Sequence, residues 1–403
     1  MLDRFAIVLV MVLASPVRVA AGGDDSLPAA GVQPESPPAP LLVPGRRAPP
    51  DTLKKSAAVR AREQYRLARS FEDRHLMAPA VAAYQNAVRF DPTIADANYR
   101  MGKLFLGVDQ VKQAVSCFAA ELRHHPGNVA AARELGLGLA RIGETGRAVT
   151  QLELLARRRP NDGDSWQALG FAYMAAKRPR DAEIALRRAV VMAPPRASRH
   201  RDLGAVLAAR GKEGEAREQY RKALALEPKD AATWVNLGNV ERRAGNLERA
   251  LKNYREAERH DSTLGLAFQA QVQTLRDLGR TPEAAVVYRR WLRDQPSDYN
   301  ARLEAVRFFD GQDRRDIALE IARDGVRHDD GSGDAHLILG MALQSSGATR
   351  AALGEMRKAE ARFKTDVEKT RARQLVMVMR ASAADSLKAL FAADSVEHAQ
   401  AVR

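Results

Sequence analysis

The sequence predicts an all-α fold, a solenoid of stacked helix-turn-helix repeats, and three observations predict it. Aromatic residues are only 5% of the 403, while alanine is abundant, a combination that suits closely packed helices better than a sandwich or barrel. Apolar residues recur three and four apart, the spacing of one helix face. The whole pattern then returns every 34 residues, the mark of a repeat array.

Taken in chain order, residues 1–21 read as a signal peptide. A basic start at Arg4, an apolar run from Phe5 to Ala14 and small residues at Val19 and Ala21 precede a cleavage expected after Ala21. The run is too short to span a bilayer, and Pro16 and Arg18 interrupt its extension. An exported protein, periplasmic or secreted, is therefore expected, with an uncleaved leader held at the membrane as the alternative. No other segment is apolar enough for an integral membrane domain. Residues 22–56, rich in proline and small residues, form an extended, solvated linker. The lone Cys117 cannot form an internal disulfide and sits in a helical apolar context as a small core residue.

Residues 57–366 hold nine copies of the period. In the sixth, Trp234, Leu237, Gly238, Ala250, Tyr254 and Ala257 mark it. The fifth answers with His200, Leu203, Gly204, Ala216, Tyr220, Ala223 and Pro228, the fourth with Trp166, Leu169, Gly170, Tyr173, Ala182, Leu186, Ala189 and Pro194. Leu135, Gly136 and Pro160, then Met101, Gly102 and Pro126, then Leu67, Ala68 and Pro92 carry it back to the first copy. Downstream it loosens through Phe268, Tyr288 and Pro296, then Phe309 and Ala318, then Leu339, Gly340 and Met356, without an insertion.

This order of an aromatic, Leu-Gly, an aromatic, Ala, an aromatic, Ala and Pro resembles the tetratricopeptide repeat family, over about three quarters of the chain. The resemblance implies a right-handed superhelical solenoid. The residues explain the signature physically as well. A small residue at copy position 8 and Ala at position 20 let two helices cross closely. Proline at position 32 turns its predecessor away from helix and starts the turn between copies. One helix pair cannot bury both of its faces, so copies stack. Residues 367–403 fit no copy and are expected to be C-terminal capping helices and a tail.

The sequence offers no catalytic constellation. It lacks a phosphate-cradling glycine loop, a nucleophile-elbow serine and a paired-histidine metal helix. The adjacent His124 and His125 lie at a turn with no third ligand nearby. The run Asp329 to Asp334 lacks the ligand spacing and closing glutamate of a calcium loop and falls where a turn is due. A non-enzymatic protein with no cofactor and no metal is expected.

By the resemblance, positions 2, 5, 9, 12 and 13 of each copy, with position 6 nearby, line a concave groove. They place Tyr65, Arg69, Tyr99 and Lys103 at the N-terminal end, and Leu137, Phe171, Met174, Ala205 and Ala208 in an apolar middle. Asn236, Asn239, Arg242, Arg243, Gln269, Gln273, Arg276 and Arg307 line the C-terminal half. Amide and guanidinium donors beside an apolar floor suit an extended peptide. Position pairs 5 and 9 lack the lysine and asparagine pattern of chaperone-tail receptors, and only Asn236 matches the asparagine ladder of sugar-transferring arrays.

Position 25 reads Arg187, Arg221, Arg255, Arg289, Arg323 and Arg357 in six consecutive copies, next to the aromatic slot of the second helix and so expected to face solvent. With a net charge of +14, this convex basic ridge suits an anionic partner. The expected function is a protein-interaction scaffold or adaptor of the cell envelope that takes a peptide or partner protein in its groove. The alternatives are an anionic polymer on the ridge, either acidic polysaccharide or lipid headgroups, in polysaccharide export, and an accessory subunit of a separately encoded enzyme. Nucleic acid is not expected, because groove aromatics are too few to stack bases.

Overall fold

The computed structural model describes residues 56–192, 194–366, 368–370, 373, 374 and 377. The leader, the linker up to Lys55 and most of the C-terminal tail lie outside the described residues. The chain divides into two compact units between Lys212 and Glu213, although the 34-residue period runs through that boundary without a break.

The first unit holds α1 (Ala57–Asp73), α2 (Met77–Phe90), α3 (Ala97–Gly107), α4 (Val111–His124), α5 (Val129–Arg141), α6 (Thr145–Arg158), α7 (Gly163–Ala175), α8 (Pro179–Val191) and α9 (Ala197–Ala209). The second holds α10 (Glu213–Leu226), α11 (Ala231–Arg243), α12 (Leu247–His260), α13 (Gly265–Asp277), α14 (Thr281–Asp294), α15 (Tyr299–Asp310), α16 (Arg315–His328), α17 (Gly333–Ser345) and α18 (Thr349–Arg362). Odd helices supply positions 1 to 13 of a copy and even helices positions 17 to 30. Each unit is an all-α repeat solenoid. Among the described residues no helix is long and apolar enough to cross a membrane.

Three local devices set the repeat. Position 15 makes the tight turn inside each pair: His75, Asp109, Gly143, Lys177, Gly211, Gly245, Gly279, Asp313 and Gly347 all have φ between 56° and 87°. Only glycine enters that left-handed region without a steric cost, and five copies use it. The last residue of a copy caps the next one: Asn128, Asp162, Asp230, Asp298 and Ser332 accept a backbone N–H through their side chains, about 1 kcal/mol apiece. Position 8 is small because position 24 of the same copy packs onto it. A Cβ on Gly102, Gly136, Gly170 or Gly238 would stand 2.4–2.6 Å from Phe118, Leu152, Leu186 or Tyr254.

The core therefore runs along each unit as buried side chains between paired helices, with Phe118, Leu152, Leu186, Tyr254, Phe268 and Met356 fully enclosed. Burying such a side chain contributes about 1.5–3 kcal/mol. Polar ties span one period across copies: Lys103 to Glu134, Arg141 to Asp109, Arg196 to Asp164, Arg242 to Asp277 and Arg290 to Glu258.

Candidate functional site: the concave faces and the arginine ridge

Position 4 holds tryptophan in two copies, at Trp166 and Trp234, and its role is structural. Trp166 Nε1 donates to the Pro160 carbonyl at 2.8 Å, and Trp234 Nε1 to that of Pro228 at 2.9 Å. Both carbonyls belong to position 32 of the preceding copy. Degenerate copies keep this bond with other donors. Arg302 Nη2 reaches Pro296 O at 2.8 Å, and His336 Nε2 lies 2.9 Å from Asp330 O. Trp234 is thus half-buried and tethered by its ring nitrogen, besides packing between helices. Phe268 has no donor and instead stacks on Trp291, centroids 5.6 Å apart.

On the first unit, Tyr99 leans on Phe118 with centroids 5.9 Å apart, and Lys103 Nζ is 3.0 Å from Glu134 Oε1. Leu137 is half-buried against the core, and Phe171 and Met174 are half-buried. Beside them Asp164 is held by Arg199 at 2.6 Å, Arg196 at 2.9 Å and Arg133 at 3.5 Å. Burial raises its carboxyl, but the Arg199 hydrogen bond and the three charges outweigh that and leave it below the usual carboxylate range.

On the second unit, several of the amide and guanidinium donors already have partners. Asn239 Oδ1 accepts the Tyr254 hydroxyl at 2.8 Å, so this groove residue is tied into the scaffold. Burial pushes the Tyr254 phenol up to about 12, with the Arg242 and Arg243 charges opposing. Arg242 Nη1 and Gln273 Nε2 both reach Asp277, at 3.2 and 2.9 Å. Gln269 Nε2 donates to Glu304 at 3.1 Å, and Arg276 stands 6.0 Å from the Phe308 ring centroid. Burial pushes the Glu304 carboxyl up, against the Gln269 hydrogen bond. Asn236 is half-buried and Arg243 exposed. These donors form a preorganised polar row rather than a set of free hooks.

The row leads to a cavity of 590 Å³ between α15 and α17. Its floor is Leu303, Leu337, Ile338 and Met341; Asn300, Arg307 and Asp334 supply polar groups, and Gln374 also lines it. These side chains from α15 and α17 occupy positions 2, 5, 6 and 9, so in these two copies the groove positions do converge on one space. Of them, sequence reading singles out only Arg307. Apolar residues at Leu303 and Met341 look like ordinary core in copies whose signature has decayed. The sequence signal that finds them is register alone, counted through from the well-formed copies.

All six ridge arginines are exposed. Arg187 grips the buried Glu183 at 2.8 Å, and Arg255 stands 3.5 Å from Glu283. Among the described residues Arg221, Arg289, Arg323 and Arg357 carry no ion pair.

The remaining candidates are absorbed by the scaffold. His125 Nε2 lies 3.0 Å from Thr93 O, and the Asp329–Asp334 run is the α16–α17 turn and the first residues of α17, with Asp329 Oδ1 accepting the Gly331 N–H. Burial pushes the Cys117 thiol up to about 11. Among the described residues no group of three metal-ligating side chains comes together.

A tetratricopeptide repeat family profile matches residues 99–163, and a second, described as a TPR repeat, matches residues 204–241. No curated protein matches the chain in sequence. Among solved structures, a tetratricopeptide repeat protein from Parabacteroides merdae is similar at 13% identity, over 62% of this chain and 98% of that one, with a TM-score of 0.50. Pseudomonas aeruginosa pilF matches at 20% identity over 51% of this chain and 94% of its own, TM-score 0.41. Desulfovibrio magneticus MamA matches at 22% over 42% and 97%, TM-score 0.39. With helix pairs recurring every 34 residues and two family profiles that match within them, the chain is a tetratricopeptide repeat protein.

Proposed function

We propose that this protein is an interaction scaffold that takes an extended segment of a partner protein on the concave face of its second unit. One apolar side chain of that segment enters the cavity between α15 and α17, and a neighbouring carboxylate meets Arg307. Tetratricopeptide repeat proteins generally serve as protein-interaction scaffolds. The observation that carries the finer reading is the cavity itself: 590 Å³ lies within the size range of built ligand sites, and its apolar floor is rimmed by polar side chains, Asp298, Asn300, Arg307 and Asp334 among them. Arg307 is exposed and, among the described residues, has no ion-pair partner. An extended peptide puts alternate side chains on one side about 7 Å apart, so one can fill the cavity while the next lies along Gln269 and Gln273.

The test is selection of peptides from a random library on the full chain, followed by fluorescence titration of the best binder. Met341→Glu with Arg307→Glu should weaken it at least about tenfold, the loss of one apolar contact and one charge-assisted bond. Unchanged affinity in that variant, with binding abolished by Phe171→Ala and Met174→Ala, would move the site to the first unit and overturn this assignment. The N-terminal sequence supports an exported location, which Edman sequencing of the mature protein tests: a first residue of Gly22 is expected, and a retained Met1 would count against it.

A further inference from the structure

Six exposed arginines form a second feature, independent of the concave face. We propose that the convex side of the second unit carries a binding strip for a linear, carboxylate-bearing polysaccharide. The strip has two rows. Position 25 gives Arg255, Arg289 and Arg323; position 29, one helical turn further on the same face, gives Arg259, Arg293 and Arg327. The second row stands well out from the surface, its side chains 73%, 73% and 64% exposed. The rows ride on α12, α14 and α16. Arg290–Glu258 at 2.6 Å and Arg255–Glu283 at 3.5 Å tie α12 to α14 side by side.

Against these six stand four carboxylates: Glu283, 3.5 Å from Arg255, and Glu256, Asp294 and Asp324, each 2.9–3.4 Å from the position-29 arginine of its own helix. Exposed pairs of this kind are weak and easily exchanged for another anion. Arginine in a last turn complements the helix C-terminus, which accounts for position 29 without a ligand. It does not account for position 25, a full turn earlier, where Arg289 and Arg323 face water unpaired.

The chemistry of the strip selects among anionic partners. A guanidinium binds a carboxylate through two parallel hydrogen bonds, and one pair of arginines per helix pair follows a chain with anionic groups at regular intervals. No aromatic ring is exposed on α12, α14 or α16 for base stacking, since Tyr254, Tyr288 and Trp291 are buried. Val286 is the one large apolar side chain exposed on these helices, too little for insertion among lipids.

The experiment measures binding of the full chain to polygalacturonate, anionic phosphatidylglycerol vesicles and single-stranded DNA at several salt concentrations. Polygalacturonate should bind most tightly, with affinity falling as salt rises. Arg255→Glu, Arg289→Glu and Arg323→Glu together should weaken it at least about tenfold, and Arg259→Gln, Arg293→Gln and Arg327→Gln together should weaken it less. Arg62→Glu, Arg66→Glu and Arg74→Glu make the same change in net charge on the first unit and should leave it within about twofold. Equal loss in that control would show bulk charge instead of a strip. Tighter binding to vesicles or DNA, or no polygalacturonate binding, would likewise overturn the proposal. Unchanged circular dichroism spectra establish that each variant is folded.

Discussion

Replacing Gly325 with alanine separates what the repeat pattern predicts from what the packing predicts. Position 27 is alanine in five other copies, at Ala87, Ala189, Ala223, Ala257 and Ala359. Helix propensity alone makes Gly325→Ala stabilising by about 1 kcal/mol. In the structure the new Cβ would stand 2.6 Å from Arg302 Cδ and 2.8 Å from its Nε, where contact needs about 3.5–4 Å. Arg302 cannot yield easily. It is fully buried, with Nη1 donating to Ile321 O at 2.7 Å and Nη2 to Pro296 O at 2.8 Å. Overpacking and one strained charge-assisted hydrogen bond cost about 3 kcal/mol together, leaving a net loss of about 2 kcal/mol once propensity is credited. For a unit of this size that is a fall in Tm of about 4–8 °C, measured by circular dichroism. Arg302→Trp with Gly325→Ala restores the pairing of Trp234 over Ala257, so the double-mutant cycle should show more than about 1 kcal/mol of favourable coupling. A Tm equal to or above that of the parent in Gly325→Ala, or strict additivity in the cycle, would refute the reasoning.

Two other outcomes follow from the first unit. Lys177 makes its turn at φ 58°, where a side chain costs about 1–2 kcal/mol and the entropy of glycine returns about half of that, so Lys177→Gly should raise stability by about 0.5–1 kcal/mol in thermal melts. Asp164 has its carboxyl held below the ordinary range by its arginines. Its stabilisation is therefore complete above the unfolded value near 4 and is lost as pH falls through the lower folded value. Acid titration followed by circular dichroism should show Asp164→Asn less stable than the parent at neutral pH and the gap closing below about pH 4; a constant gap would contradict the pairing.

Much of this was legible from the residues, and the limits of that reading have a physical origin. Helix pairs, their turns and the small residue at position 8 follow from spacings of three, four and 34, which the well-formed copies display along the chain. The turn at position 15 is plain where glycine fills it and hidden at His75, Asp109, Lys177 and Asp313, because those copies accept a strained backbone that composition does not advertise. Arg187 through Arg357 were placed in solvent by register alone. The groove donors were harder. Register put Arg242, Gln269 and Gln273 on the right helices, but their carboxylate partners include Asp277 and Glu304, and Glu304 sits a full copy away from Gln269.

The sequence by itself determined the period, the all-α class and which side of each second helix meets water, because helix amphipathicity is a local property carried within each turn. Tertiary structure decided what each slot is for. A tryptophan, an arginine and a histidine at position 4 differ in every property that sequence reading weighs, yet all face the same carbonyl of the preceding copy. Whether Arg302 is surface charge or buried tether depends on Gly325, 23 residues away on another helix. The cavity above Leu303 and Met341 likewise exists only once two first helices lie side by side. Spacing along one chain repeats, but the space between two helices is set by both of them together.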